Sequence, residues 1–337
     1  MKGQLFMKLY TDYALTDTVR ASEKFVTPKN IFLKLLIFLV VFYIAQIAQG
    51  FVLMIFAFPR LLQIYSEMAE QEFISQEELQ QAMTDRIRNL TQDPSMTRTM
   101  LYCTVFATLV IFFFCKVIEG RKLNTLGLRK EHAVLQYLAG LGVGFVLFSL
   151  TVFFSNMLGG LEFHGLQEFS ISGILIMFGG WILQGMSEEV ICRGYLMTTI
   201  LRNHKPVWAI LINAILFGFM HASNNGFSIP AVINLTLFGA MISLYVLRTN
   251  NLWGACAIHT IWNFVQGNFY GLPVSGINSG STIFSASLIE KRDLFNGGAF
   301  GLEASLPCAV ILCIAIAVLI FVPIPFLDKK QGSDLQG

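Results

Sequence analysis

The chain has 337 residues, of which 55% are apolar, 13% aromatic and only 13% charged, and its formal net charge is +2. Because soluble domains carry about a quarter charged residues, this composition excludes an ordinary soluble globular protein. The small net charge argues against a nucleic-acid partner. The six cysteines lie in apolar stretches without paired short spacing, which argues against a disulfide framework and against a zinc knuckle.

Apolar runs long enough to cross a bilayer recur along the whole chain. A transmembrane helix needs about 20 mainly apolar residues. Such runs predict eight spans, at about 31–57, 100–118, 133–156, 173–200, 206–223, 230–248, 252–270 and 305–323. The first run is too long for a signal-peptide core, so we keep it as a span. The predicted fold class is therefore all-α, a polytopic transmembrane helical bundle with about eight transmembrane helices.

Lysine and arginine alternate between the loops in the way that sets membrane orientation. They are concentrated before the first predicted span, after the second, fourth and sixth, and after the eighth, whereas loops 157–172 and 224–229 contain none. By the positive-inside rule, both termini are predicted to be cytoplasmic in a multi-pass protein of the cell (plasma) membrane. Residues 60–99 then form a polar, helical, extracytoplasmic linker.

Three regions follow from this arrangement. Residues 1–99 form an N-terminal region with the first transmembrane helix and the linker. Residues 100–327 form the membrane-embedded core, and residues 328–337 form a cytoplasmic tail.

The fourth predicted span contains three charged residues, Glu188, Glu189 and Arg193. One central charge costs about 2.5–3.5 kcal/mol on the insertion scale, so three would cost on the order of 9 kcal/mol without compensation. Glu189 and Arg193 are four residues apart and can pair on one helix face, whereas Glu188 lies about 100° away. The charges could simply mark the membrane surface, but Glu188 lies roughly 21 Å from the basic turn that begins at Arg202. An ionisable residue at that depth indicates a functional site.

Polar side chains at similar depth occur in two later spans. His221 ends the fifth span and, counted from the intervening turn, lies at nearly the level of Glu188. His259 and Asn263 are four residues apart on the seventh span and therefore share a face. A carboxylate, two imidazoles and an amide can activate a water and stabilise an oxyanion, but they can equally bind a cation or relay protons. Chemistry alone leaves these alternatives open.

Three motifs in this order resemble a known family. Glu188-Glu189-x-x-x-Arg193, Phe217-x-x-x-His221 and His259-x-x-x-Asn263 are similar to the motifs of the CAAX protease and bacteriocin-processing family, which includes the type II CAAX prenyl proteases. The similarity covers about residues 170–270. Two outlying stretches are also similar, namely 121–129 and the glycine-rich 297–303.

The resemblance implies a membrane-embedded endopeptidase that hydrolyses peptide bonds of membrane-associated or peptide-precursor substrates. It implies that Glu188 activates the attacking water, helped by His221, and that His259 and Asn263 stabilise the oxyanion. Glu189 and Arg193 would support the site electrostatically. The implied partners are a membrane-associated protein or peptide substrate and the lipid bilayer, with no nucleic acid; nothing in the sequence specifies a prenylated substrate.

Metal dependence is a separate question. Glu188, His221 and His259 could supply three ligands of a catalytic zinc ion, but the chain contains no HExxH motif. We favour a glutamate mechanism without a cofactor. Two further alternatives are a non-catalytic bacteriocin-immunity or regulatory membrane protein of the same fold, and a cation or proton transporter. The latter normally shows repeated halves and paired broken helices, and the sequence shows neither.

Overall fold

The computed structural model describes residues 14–22, 25, 27–71 and 75–322, and within them the chain is almost entirely helical. The helices are α1 (Ala14–Ala21), α2 (Ile31–Ala69), α3 (Gln76–Gln92), α4 (Pro94–Ile118), α5 (Ala133–Met157), α6 (Ile171–Leu201), α7 (Pro206–Phe219), α8 (Ile229–Thr249), α9 (Trp253–Phe264), α10 (Asp293–Asn296) and α11 (Leu306–Phe321). The prediction of a polytopic helical bundle is confirmed. The predicted cytoplasmic tail 328–337 lies outside the described residues.

Every predicted span coincides with a helix, but the helices differ in length. Within the described residues, five are long and apolar enough to cross a membrane: α2, α4, α5, α6 and α8. The other three predicted spans correspond to shorter helices, α7, α9 and α11. By length and composition, five spans are therefore found where eight were predicted.

The linker region is helical, as predicted. Helix α2 continues through Pro59 to Ala69, well past the predicted end at residue 57. Ser75 accepts a hydrogen bond from Glu78 N and so begins α3. Asp93 does the same for Ser95 N, directly before Pro94 at the start of α4. Residues 60–99 thus comprise the end of α2, the whole of α3 and the first residues of α4, and their side of the membrane remains a prediction.

A two-stranded antiparallel sheet joins two segments that were predicted to be loops. Strand β1 (Leu161–Leu166) pairs with β2 (Phe284–Leu288), with Leu161 opposite Leu288 and an irregularity between Phe163 and Gly165. This pairing could not be predicted from local sequence patterns, because the two strands lie more than a hundred residues apart in the chain.

Helix α9 lies unusually close to two neighbours, and glycines permit this. A Cβ at Gly144 of α5 would lie 2.7 Å from Ile258 O, and one at Gly140 would overlap Gly254 O. On the other side, a Cβ at Gly185 of α6 would lie 2.9 Å from Thr260 N. Small residues at such positions let membrane helices pack backbone to backbone. The helix that carries His259 and Asn263 is therefore held in a fixed position between α5 and α6.

The C-terminal end of α6 is fastened by buried cations. Arg121 donates to Thr198 Oγ1 at 2.6 Å and to Thr199 Oγ1 at 3.3 Å. Lys34 of α2 donates to Thr199 O and, at 2.9 Å, to Asn203. The basic stretch 121–129 thus has a structural role at the end of the helix that bears the glutamates. All six cysteines are free; five are buried, whereas Cys313 is exposed.

Candidate active site

The candidate active site lies where three helices meet. Glu188 and Glu189 are on α6, immediately before a π-helical stretch, Val190–Met197. Asn263 and His259 are on α9, which also widens into a π-helical turn directly after it, Val265–Phe269. Such turns inside α-helices are frequent at functional sites. His221 was predicted within a helical span, but α7 ends at Phe219, so His221 lies in the turn that follows.

Glu189 lies at the centre of a buried network. Its Oε1 accepts from Arg193 at 2.8 Å, and the same oxygen lies 2.8 Å from Nδ1 of His259. The predicted i, i+4 pair is therefore confirmed, and both of its side chains are fully buried. Arg193 also donates to Gly239 O at 3.2 Å and places its guanidinium 4.5 Å above the ring of Phe217. Hydrogen bonds and this cation–π contact offset part of the cost of burying the charge.

Glu188 faces away from that pair and toward both histidines. Its Oε2 lies 3.7 Å from Nε2 of His259 and 3.9 Å from Nε2 of His221. This oxygen is buried and has no hydrogen-bond partner. The Glu188 side chain is 23% exposed, whereas Glu189 is fully buried. Of the two adjacent carboxylates, only Glu188 is therefore accessible to a reactant.

Both imidazole rings are held by their other nitrogen and by aromatic neighbours. Nδ1 of His221 lies 3.0 Å from Phe217 O, and since a carbonyl oxygen only accepts, this nitrogen carries a hydrogen. The Phe217 ring lies edge-on to both imidazoles, with centroids 5.0 Å from His221 and 6.0 Å from His259. Phe238 contacts His259 at 5.3 Å. These contacts keep both Nε2 atoms turned toward Glu188.

Asn263 reaches Glu188 only through a residue that the motifs do not include. Its Nδ2 donates to Gln184 Oε1 at 2.9 Å, and Gln184 Nε2 donates to Glu188 Oε1 at 2.5 Å. The spacing could have suggested Gln184, because it lies one helical turn before Glu188 on the same face. A glutamine in an apolar helix is also a signal in itself, since polar groups in membranes are usually paired.

A cavity of about 230 Å³ is lined by Glu188, both histidines, Gln184 and Asn263. Other parts of its wall come from segments well outside the three motifs. Helix α2 contributes Gln46 and Gln49, and the segment after α10 contributes Glu303. Glu303 accepts from Trp262 Nε1 at 3.1 Å and from the backbone and hydroxyl of Ser275 at 2.7 and 2.6 Å. It thereby fastens loop residues 273–277 to the site. The glycine-rich stretch 297–303, noted in the sequence, therefore reaches the cavity.

All six predicted site residues are thus brought together, although Glu189 and Arg193 lie behind the cavity wall and Asn263 contacts Gln184 rather than a histidine. Among the described residues, no three His, Cys, Asp or Glu side chains form a group arranged to hold a metal ion.

Comparison with known proteins gives one match. Residues 170–265 match the family model described as "Type II CAAX prenyl endopeptidase Rce1-like". This family is a protease family, and the matched segment spans α6 to α9 and contains all six predicted site residues. No curated protein and no solved structure matches the chain.

Proposed function

Since residues 170–265 form a type II CAAX prenyl endopeptidase Rce1-like domain, we propose that the chain cleaves peptide bonds of membrane-associated substrates with a glutamate-activated water. The proposal rests chiefly on Glu188 Oε2, a carboxylate oxygen without a partner that faces two imidazole nitrogens in a cavity. A general base must lie within reach of the water that it deprotonates. This oxygen meets that geometric condition.

In the first step, a water between Glu188 and the histidines loses a proton to Glu188 Oε2, and the resulting hydroxide adds to the carbonyl carbon of the scissile bond. Nδ1 of His221 carries a hydrogen, so in the neutral ring Nε2 accepts one from the water and orients it. The carbonyl oxygen of the substrate then becomes an oxyanion.

The oxyanion needs hydrogen-bond donors that are already in place. Asn263 uses one Nδ2 hydrogen on Gln184 and has a second for the oxyanion. His259 donates from Nε2 when its ring carries both hydrogens, and Glu189 and Arg193 hold the ring in position from behind. The tetrahedral intermediate collapses when the C–N bond breaks and Glu188 returns its proton to the leaving amine.

We further propose that the protein lies in the plasma membrane with both termini cytoplasmic, and that its substrates are membrane-associated proteins or peptide precursors. The apolar helices support a membrane location, and the distribution of lysine and arginine supports this orientation.

The test compares cells that express the wild-type chain with cells that express Glu188→Gln at the same protein level. Glutamine keeps the volume of the side chain but cannot accept the proton. Mass spectrometry of membrane peptides should show fragments that occur only with the wild-type chain. Identical peptide profiles, combined with normal folding of both chains, would instead support the non-catalytic reading of the same fold.

A further inference from the structure

We propose that Gln184 is a positioning residue that selects Oε2 of Glu188 as the base and couples that carboxylate to Asn263. Neither the three motifs nor the proposed mechanism assigns it a role. The observation behind the proposal is a continuous chain of two hydrogen bonds, from Asn263 to Gln184 and from Gln184 to Glu188.

The carboxylate fixes the orientation of both amides. An ionised carboxylate oxygen only accepts hydrogen bonds, so the Gln184 atom that contacts Glu188 Oε1 at 2.5 Å must be Nε2. The other end of the Gln184 amide is then an oxygen, which only accepts. The Asn263 atom that contacts it at 2.9 Å must therefore be Nδ2. Asn263 consequently presents its nitrogen on the side of the cavity where the oxyanion donor is needed.

Gln184 also distinguishes the two oxygens of Glu188. Oε1 is occupied by the amide hydrogen, whereas Oε2 has no partner and faces both imidazoles. A hydrogen bond to a charged acceptor is stronger than one between neutral groups. Rotation of the carboxylate away from the histidines would sacrifice that bond, so Gln184 holds the reactive oxygen in place.

The backbone supports this bridge. Gly185, the residue after Gln184, lets α6 and α9 approach so closely that a Cβ there would lie 3.0 Å from Thr260 Oγ1. At that separation one glutamine side chain spans the gap between Glu188 on α6 and Asn263 on α9. Two catalytic groups on different helices are thereby joined by a single amide.

The test measures hydrogen bonding to the Glu188 carboxyl group directly in the full-length protein in lipid nanodiscs. Infrared spectra report carboxyl stretching bands, whose frequencies depend on hydrogen bonds to the oxygens, and subtraction of the Glu188→Gln spectrum isolates Glu188. Gln184→Met keeps the length of the side chain but removes the donor to Glu188 Oε1. The Glu188 band should therefore shift in this variant.

The matched control is Gln63→Met. Gln63 also donates to a glutamate one turn later, Glu67 Oε1 at 2.9 Å, but on an exposed part of α2. This variant should leave the Glu188 band unchanged. If Gln184→Met does not fold, Gln184→Asn serves instead, since it keeps the amide but is one methylene too short to bridge.

Variants of Asn263 show whether Gln184 acts through the hydrogen-bond chain or only by filling space. Asn263→Ala should shift the Glu188 band less than Gln184→Met does, and the double variant should match Gln184→Met alone, because both act on one chain of hydrogen bonds. A well-folded Gln184 variant with an unchanged Glu188 band, or shifts that simply add, would overturn the proposal.

A second readout rests on the proposed function. With a peptide identified from the membrane comparison as probe, Gln184→Met should lower kcat roughly tenfold and leave KM within about twofold, since the amide contacts the catalytic base and not the substrate. If neither the wild-type protein nor any variant cleaves a peptide, the proposed function fails, while the infrared band of Glu188 still decides the role of Gln184.

Discussion

Nδ1 of His259 lies 2.8 Å from Oε1 of Glu189, the same oxygen that receives the Arg193 guanidinium at 2.8 Å. Glu189 Oε1 therefore holds both the buried guanidinium of Arg193 and the imidazole of His259, which belongs to the candidate active site. Loss of the cation leaves Glu189 without its counter-charge and also loosens the imidazole. Stability and activity are consequently linked at this position, although neither Arg193 nor Glu189 touches the cavity.

Arg193→Ala tests this link. Removal of one partner of a buried ion pair strands the other charge, at a cost of about 3–5 kcal/mol. The variant should therefore show less folded protein and a lower midpoint of thermal unfolding, together with reduced cleavage. The control is Arg88→Ala, which removes an exposed pair with Asp85 at 3.5 Å and should cost less than about 1 kcal/mol. Equal stability of the two variants would contradict the structural role of the buried pair.

His221 and Glu188 should behave as one catalytic unit. Glu188→Gln is expected to reduce cleavage by at least roughly 10²-fold, within the usual range for loss of a general base. His221→Ala should cause a similar loss, since Nε2 lies 3.9 Å from Glu188 Oε2. The double variant should be little worse than either single variant, because groups that act together are not additive. Kinetics on a peptide from the membrane comparison measure this, and fully multiplicative losses would separate the two residues.

Gly144 should be intolerant of even one methyl group. In Gly144→Ala the new Cβ would meet Ile258 O at 2.7 Å, which is backbone and cannot rotate away. Overpacking of this kind costs typically 1–3 kcal/mol, and it would shift α9 with His259 and Asn263. Gly142→Ala is the matched control, because nothing lies within 4 Å of its Cβ position. Thermal unfolding and cleavage should fall for the first variant only.

Chelation tests the absence of a cofactor in the proposed mechanism. The purified protein should keep its cleavage activity after prolonged treatment with EDTA and 1,10-phenanthroline and removal of the chelators. Loss of activity that added zinc restores, and not added magnesium, would reassign Glu188, His221 and His259 as ligands.

The orientation can be tested at the start of α3. Glu77 is exposed, and unlike Ser75 it does not cap the helix, so Glu77→Cys should fold normally in a background in which the exposed Cys313 is replaced by serine. If residues 60–99 are extracytoplasmic, an impermeant thiol reagent should label this cysteine in intact cells. Labelling only after lysis would reverse the orientation, and the background chain without Glu77→Cys shows the residual reaction of native thiols.

The parts of the site that could be predicted are those governed by local helix geometry. Glu189 and Arg193 pair because residues four apart share a helix face, and His221 approaches Glu188 because a tight turn joins their helices. The β1–β2 pairing and the reach of Glu303 to Ser275 depend on contacts between distant segments. No local pattern specifies such contacts. The continuation of α2 past Pro59 was missed because proline normally ends or kinks a helix.

The wall that α2 supplies has its own consequence. Gln46 and Gln49 border the cavity, yet they lie more than a hundred residues before the segment 170–265 that matches the family model. The residues proposed to carry out hydrolysis and this part of the cavity wall therefore lie on separate segments of the chain. Under the proposed function, changes in α2 would alter which peptides fit the cavity and leave the proposed catalytic groups unchanged. A chimaera with a different α2 should therefore cleave other peptides by the same reaction.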